Sequence, residues 1–398
     1  GPADPPGLDP EAVTALSHAT GYPVLADPLS GLRFGGHTRV APVLGAYDAY
    51  LSGAVAGPDE TQRGWDDPTV VLRLGASPTS KRLRTYLAAT DADQHVVDPT
   101  GRWREAAFTA TNLVVAEPSR LCARLARLIG GGGGDPAWRE QWLRAERIAT
   151  ALHRGDPSSV AADIAAAGTG GDVPTDVHEG TVLQTVAEAV PDPATVFVSN
   201  SMPVRDLDRF VPPSTTNLTA LGNRGVSGID GIVSSALGAG SATTDDLTLV
   251  VGDLALYHDS NGLLAVDRCA VDVTIVLINN DGGGIFHKLP VESFDPPFTD
   301  SFKTPHGLAF EPLSTLYGLE YVRIDAREAG SDTVGDTAAD DDGTDDPSAA
   351  LAAAYTHAHE TDGSHLIEVR TDAEASQRIR ERLLDAVERA VHGGDESS

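Results

Sequence analysis

The 398 residues are enough for two or three domains, and a hydrophobic content of 41% rich in aliphatic side chains favours layered α/β folds over a small disulfide-stapled one. A formal charge of −29, with Lys81, Lys288 and Lys303 as the only lysines, lacks the cationic footprint that nucleic-acid binding requires. No run of about 18 apolar residues is present, so no integral membrane segment is expected, and Cys122 and Cys269 lack metal-ligand spacing and fit a reducing cytoplasm.

The acidic, lysine-poor composition suits a protein kept soluble in concentrated salt. At molar ionic strength the Debye length falls to about 3 Å and self-repulsion is screened. The first residues, Gly1-Pro2-Ala3-Asp4-Pro5-Pro6, carry no basic-then-apolar secretion signal and no initiator methionine, which is expected of a fragment or processed chain.

Residues 1–130 alternate strand-like and helix-like stretches. The strand-like Thr69-Val70-Val71-Leu72-Arg73-Leu74 precedes a helical run from Lys81 to Ala89, and His95-Val96-Val97-Asp98 reads as the next strand. Such alternation predicts a parallel sheet with crossover helices in a middle α/β domain. The glycines from Gly130 to Gly134 predict a flexible break. Residues 131–175 then read as a connecting helix, from Trp138 to about His153, and a small-residue linker. Residues 176–395 alternate again. Thr195–Val198, Leu247–Val251, Val273–Ile278 and His365–Val369 are short continuous apolar runs, the pattern of strands buried on both faces of a doubly wound sheet. An acidic surface insertion is expected at about 325–347, and an amphipathic helix from Glu374 to about Val391.

Two of these strands end in polar and glycine residues: Gly252-Asp253-Leu254 and Asn279-Asn280-Asp281-Gly282-Gly283-Gly284. Ligands of open α/β sheets gather at carboxyl strand ends. Asp253 and Asn280 lie one βαβ unit apart and can converge on one ion. Asp253 offers a carboxylate, Asn280 an amide oxygen and Gly282 a main-chain carbonyl, a hard-oxygen set suited to Mg²⁺ completed by phosphate oxygens and water. Glycines 282 to 284 would let the main chain approach a diphosphate, and a helix starting after Asp253 would aim its N–H groups at it. Either dipeptide alone is ordinary turn chemistry; the pair at this spacing is a cofactor-site pattern.

That pattern resembles the diphosphate motif of thiamine-diphosphate enzymes. Val198-Ser199-Asn200-Ser201-Met202-Pro203-Val204-Arg205-Asp206 and Gly222-Asn223-Arg224-Gly225-Val226-Ser227-Gly228-Ile229-Asp230-Gly231 resemble motifs of the 2-succinyl-5-enolpyruvyl-6-hydroxy-3-cyclohexene-1-carboxylate (SEPHCHC) synthases of menaquinone biosynthesis. So do Ile285-Phe286-His287-Lys288-Leu289-Pro290, Pro78-Thr79-Ser80-Lys81-Arg82-Leu83 and the stretch from Pro23 to Arg33. Leu254 stands where glycine is commoner in the superfamily, a form these synthases share.

The resemblance implies two doubly wound parallel-sheet domains, thiamine diphosphate with Mg²⁺ or Mn²⁺ as cofactors, and 2-oxoglutarate and isochorismate as substrates. Ser201, Arg205 and Arg224 are then catalytic. Asn200, Lys81, Arg82, Ile285, Phe286 and Leu289 bind substrate, and Ile229, Gly252, Asp253, Leu254, Asn280, Gly282 and Gly283 bind the cofactor, with Asp253, Asn280 and Gly282 on the metal. Arginine suits dicarboxylates because its guanidinium grips a carboxylate with two hydrogen bonds. In an arginine-rich acidic protein, however, any one arginine is more often a surface ion-pair partner. His258 and His287 read as structural. The family's N-terminal pyrimidine-binding domain, which supplies the glutamate that triggers ylid formation, has no counterpart in these residues, and the chain reads as starting at the middle domain. Family sites form between subunits, so a homodimer or dimer of dimers is implied. Another thiamine-dependent 2-oxo-acid decarboxylase or carboligase, or a non-catalytic diphosphate-binding remnant, fits the same cofactor motif.

Overall fold

The computed structural model describes residues 1–2, 8–51, 66–166, 177–327 and 346–392, and most of the expected acidic insertion and of the small-residue linker lies outside them. The chain divides into two compact units. The first comprises Gly1–Pro174, Asp208–Asn217 and Arg382–Ser398, and the second Thr175–Leu207 and Leu218–Glu381.

The first unit is a layer of parallel strands between helices. Asp9 opens the helix Pro10–Thr20 by accepting the Glu11 N–H, and Gly21, at φ +74°, closes it. Strand β1 (Val24–Leu25) pairs in parallel with β2 (Val43–Leu44). Strands β3 (Val70–Leu74), β4 (Asp93–Val97) and β5 (Asn112–Val114) form a separate parallel set.

The helix expected at Lys81 spans Lys81–Ala89, capped by the Ser80 side chain. The helix expected from Trp138 starts at Pro136 because Asp135 caps it and proline is tolerated in a first turn. Within the glycine run expected to be a break, Gly130 to Gly132 stand in open space, whereas the last two glycines approach the end of the first helix. The Gly133 amide donates to Ala19 O at 3.2 Å, and a Cβ on Gly134 would lie 2.4 Å from Thr20 O.

A fully buried charge pair ties the unit together. The Arg33 guanidinium meets Asp208 Oδ1 at 2.7 Å, and the Tyr47 hydroxyl donates to the same oxygen at 2.9 Å. Arg33 also donates to the Ala26, Asp208 and Val211 carbonyls, so the buried cation is well satisfied.

The second unit holds β6 (Ala194–Val198), β7 (Leu218–Leu221), β8 (Asp246–Gly252), β9 (Thr274–Asn279), β10 (Glu320–Asp325) and β11 (His365–Arg370). All pair in parallel, in the order β10-β11-β9-β8-β6-β7. The four apolar runs expected to be doubly buried strands are β6, β8, β9 and β11, and they are the central four. Both edge strands interrupt their apolar pattern with polar residues, Thr219 in β7 and Glu320 and Arg323 in β10. From β6 the chain turns outward to β7, and from β8 it proceeds the other way to β9. This reversal opens a crevice at the carboxyl ends of β6 and β8.

Candidate active site

Gly252 in β8 lies opposite Ile278 in β9, so Asp253 and Asn280 leave the sheet at the same end of adjacent strands. Asp253 is nearly inaccessible, at 3% exposure, and opens the helix Asp253–Asp259. Its Oδ2 accepts the Gly282 N–H at 3.0 Å, which holds the carboxylate against the loop that carries Asn280. Its Oδ1 accepts the Leu254 N–H at 2.6 Å. Burial raises the Asp253 pKa, and the Gly282 and Leu254 amides and His306 only partly offset it. A nearby cation would stabilise such a carboxylate.

Asn280 carries the more telling feature. Its Nδ2 donates to Glu179 Oε1 at 2.6 Å, which fixes the amide orientation, since a flip would set oxygen against oxygen. Its Oδ1 is buried and accepts no hydrogen bond from any described residue. Unsatisfied buried oxygens are rare, and one at the end of the strand adjacent to that of a buried carboxylate offers oxygens of the kind a hard cation takes. Among the described residues no trio of His, Cys, Asp or Glu could hold a metal, so the available oxygens are a carboxylate, an amide and main-chain carbonyls.

Two residues absent from the sequence-derived set complete the surroundings. Glu179 also bonds Arg380, at 2.6 Å, and Arg380 binds both oxygens of Asp206, at 2.9 and 2.6 Å. This fully buried network sits behind Asn280. Burial raises the Glu179 pKa against the pull of Arg380. His306 Nε2 lies 3.2 Å from Asp253 Oδ2, while its Nδ1 accepts the Leu308 N–H at 3.0 Å. The ring therefore carries its proton on Nε2 and donates it to Asp253. Neither residue lies near a motif in sequence. The only signal was a glutamate in the first turn of a helix and a histidine in a Pro-Gly-containing loop.

No family model matches the chain. It is 69% identical over 399 residues to the 2-succinyl-5-enolpyruvyl-6-hydroxy-3-cyclohexene-1-carboxylate synthase of Halorubrum lacusprofundi, covering 99% of this chain and 62% of that protein. Proteins of the same name from Haloquadratum walsbyi and Halobacterium salinarum are 52% and 51% identical, with 97% of this chain covered in each case and 61% and 58% of theirs. Over nearly its whole length the chain is similar to these synthases. It spans about three-fifths of the length of these curated relatives.

The two segments that carry the SEPHCHC synthase resemblance meet in space. Asn200 Nδ2 donates to Gly228 O at 2.8 Å, and Arg224 donates to Asn200 Oδ1 at 3.2 Å. Ser201 adopts φ +69° at the tip of β6, and the Arg205 guanidinium donates back to its carbonyl. Arg224 is exposed, and Ile229 is half-buried against the core.

A Cβ on Gly282 would lie 2.1 Å from Lys303 O and one on Gly283 2.5 Å from Phe302 O, so the approaching main chain that demands glycine is the chain's own 302–303 segment. Phe286 packs edge-on against Phe302, Ile285 is half-buried, and Leu289 is 46% exposed. His287, read as structural, is buried and bonded to Glu292 at 2.8 Å. Lys81 and Arg82 lie in the first unit, where Lys81 is exposed and Arg82 pairs with Asp48 at 3.3 Å. No helix among the described residues is long and apolar enough to cross a membrane.

Proposed function

We propose that this chain carries the diphosphate- and metal-binding share of a thiamine-diphosphate-dependent SEPHCHC synthase. The reaction decarboxylates 2-oxoglutarate and adds the resulting four-carbon carbanion equivalent to isochorismate, a step of menaquinone biosynthesis. The observation that carries the reading is the buried, unpaired Asn280 oxygen beside the buried Asp253 carboxylate at adjacent strand ends. The names of the relatives support the choice of reaction.

Asp253, Asn280 and Gly282 would hold Mg²⁺ or Mn²⁺, leaving part of a six-oxygen shell for diphosphate oxygens and water. Gly252, Leu254 and Gly283 would border the diphosphate, and Ile229 would support the thiamine rings. When bound, thiamine diphosphate supplies an electron sink for the pair released as carbon dioxide leaves. Arg224 and Arg205 are assigned to substrate carboxylates, and Ser201 and Asn200 to hydrogen bonds with the reacting groups. Ile285, Phe286 and Leu289 form an apolar wall for the acceptor, and Lys81 and Arg82 assist from the middle domain. The trigger glutamate comes from an N-terminal pyrimidine-binding domain, in a cytoplasmic homodimer or dimer of dimers adapted to high salt.

Titration of the chain with thiamine diphosphate and Mg²⁺ in molar KCl tests the cofactor site. Asp253→Ala and Asn280→Ala should each weaken binding at least 100-fold, and unchanged affinity in both would remove the reading. Turnover of 2-oxoglutarate with isochorismate is expected only once the pyrimidine-binding domain is supplied. Full turnover by this chain alone would defeat the shared-site claim, and preference for pyruvate would reassign the substrate. Arg224→Glu should abolish use of dicarboxylates while sparing metal binding.

A further inference from the structure

The two strand sets of the first unit are one layer with a gap in it. Val24, Val43, Leu72 and Leu74 pack on the apolar cluster built by the helices Pro10–Thr20 and Pro118–Ile129. Leu25, Leu44 and Val71 pack on the opposite cluster, which includes Tyr86 and Trp142. β1–β2 and β3–β4–β5 thus share the same two covering layers, yet no described strand joins β1 to β3.

Between them lies a cavity of about 940 Å³, lined by both edges. Its walls are main chain as well as side chain. Val24 and Ala26 donate towards β2, so the Leu25 peptide groups face the cavity. Thr69 O accepts from Asp93 in β4, so by the two-residue alternation of a strand the peptide groups of Val70, Leu72 and Leu74 face it too. These edges are half-buried, and rows of unpaired N–H and C=O groups along them are what a further strand would pair with.

One end of the gap is already bridged. The Gly1 nitrogen donates to Leu74 O at 2.9 Å, and the Ala76 N–H donates to Pro2 O at 3.0 Å. From there the chain passes into the helix Pro10–Thr20 and then β1, and a strand, a crossover helix and a parallel strand make the usual βαβ unit. The relatives are also longer than this chain by about two-fifths of their length.

We infer that the gap receives a parallel β-strand formed by the residues directly preceding Gly1 in the longer protein, giving a six-stranded sheet in the order β2-β1-new-β3-β4-β5. Alternate residues upstream of Gly1 bond Leu72 and Val70 on one edge, and the residues between them bond Leu25 on the other. Because both faces of this layer are covered, the segment is an apolar, β-branched run rather than an alternating one.

Amide hydrogen exchange in molar KCl tests this on three proteins: the 398-residue chain, the chain extended by its natural upstream dozen residues, and the chain extended by a glycine-serine dozen. The Leu25 and Leu72 amides should exchange at least 100-fold more slowly with the natural extension only, while Val24 and Val71 barely change. The melting midpoint of the first unit should rise by several degrees, and fluorescence of an apolar dye bound in the cavity should fall. Protection of Leu25 and Leu72 already present in the 398-residue chain, equal protection with glycine-serine, or a small apolar molecule retained in the cavity of the naturally extended protein would overturn the inference. A proline two residues before Gly1, where the new amide meets Leu72, should remove that protection without unfolding the second unit.

Discussion

Both units are parallel α/β layers, but they leave their polar groups unsatisfied in different places. In the second unit the six strands run in unbroken order, the interior of β8 and all of β9 are buried, and the orphan at the candidate site is a side-chain oxygen at a strand tip. In the first, the unpaired groups run along strand edges beside a cavity. An orphan at a strand end points to a ligand, because that is where an open sheet presents functional groups. A row of orphans along a strand points to another strand, since only a second main chain matches their spacing.

The contrast can be broken most forcefully through the first unit's charge pair. Asp208→Ala would leave the fully buried Arg33 guanidinium without its counter-ion, a change that costs about 3–5 kcal/mol. Urea unfolding should show this loss in the first unit, with diphosphate affinity in the second unchanged. Leu277→Ala in the fully buried β9 should cost about 2–5 kcal/mol, whereas Leu72→Ala beside the cavity should cost less, since Leu72 is only half-buried. Equal losses at the two leucines would erase the distinction between a closed and an open sheet.

A smaller effect sharpens the ligand side of the comparison. Glu179→Ala frees the Asn280 amide to rotate and should weaken Mg²⁺-dependent diphosphate binding about 10- to 100-fold, as loss of a supporting hydrogen bond behind a metal ligand does. Glu179→Gln keeps an acceptor oxygen and should recover most of the affinity. If both variants bind like the parent chain, Asn280 is not held for a metal.

The central strands of the second unit and the tip residues Asp253 and Asn280 were legible because doubly buried strands are apolar without interruption and their ends switch abruptly to polar and glycine residues. The edge strands were not: Glu320-Tyr321-Val322-Arg323-Ile324-Asp325 mixes charges into its run, as an edge exposed to water can. Glu179 and His306 reach the site from 101 residues before Asn280 and 53 after Asp253, a convergence set by tertiary packing with no local signature. Of the glycine run from Gly130, the first three residues stand in open space as a break would, but the close approach of Gly133 and Gly134 to the first helix had no local signal, because glycine permits close packing as readily as freedom. The gap in the first unit has no sequence signature at all, since Val70-Val71-Leu72 reads the same whether its edge is paired or open.

The smallest effect concerns acid. In the first unit Asp48 pairs with Arg209 Nε at 2.9 Å and Arg82 at 3.3 Å and accepts the Ser80 hydroxyl at 2.6 Å. Burial alone would push its carboxyl up, but Arg209, then Arg82 and Ser80, outweigh that and hold it well below the usual carboxylate range. A carboxyl depressed in the folded state contributes stability that is present above its unfolded pKa, near 3.9, and is lost as pH falls towards the folded value. The melting midpoint of the first unit should therefore decline as pH drops below about 4. Asp48→Asn should start lower at pH 6 and decline less steeply, so that the two curves converge at the acid end, and because the pair is largely shielded from water the convergence should persist in molar salt. Curves that stay parallel down to pH 2 would mean that Asp48 gains nothing from its two arginines.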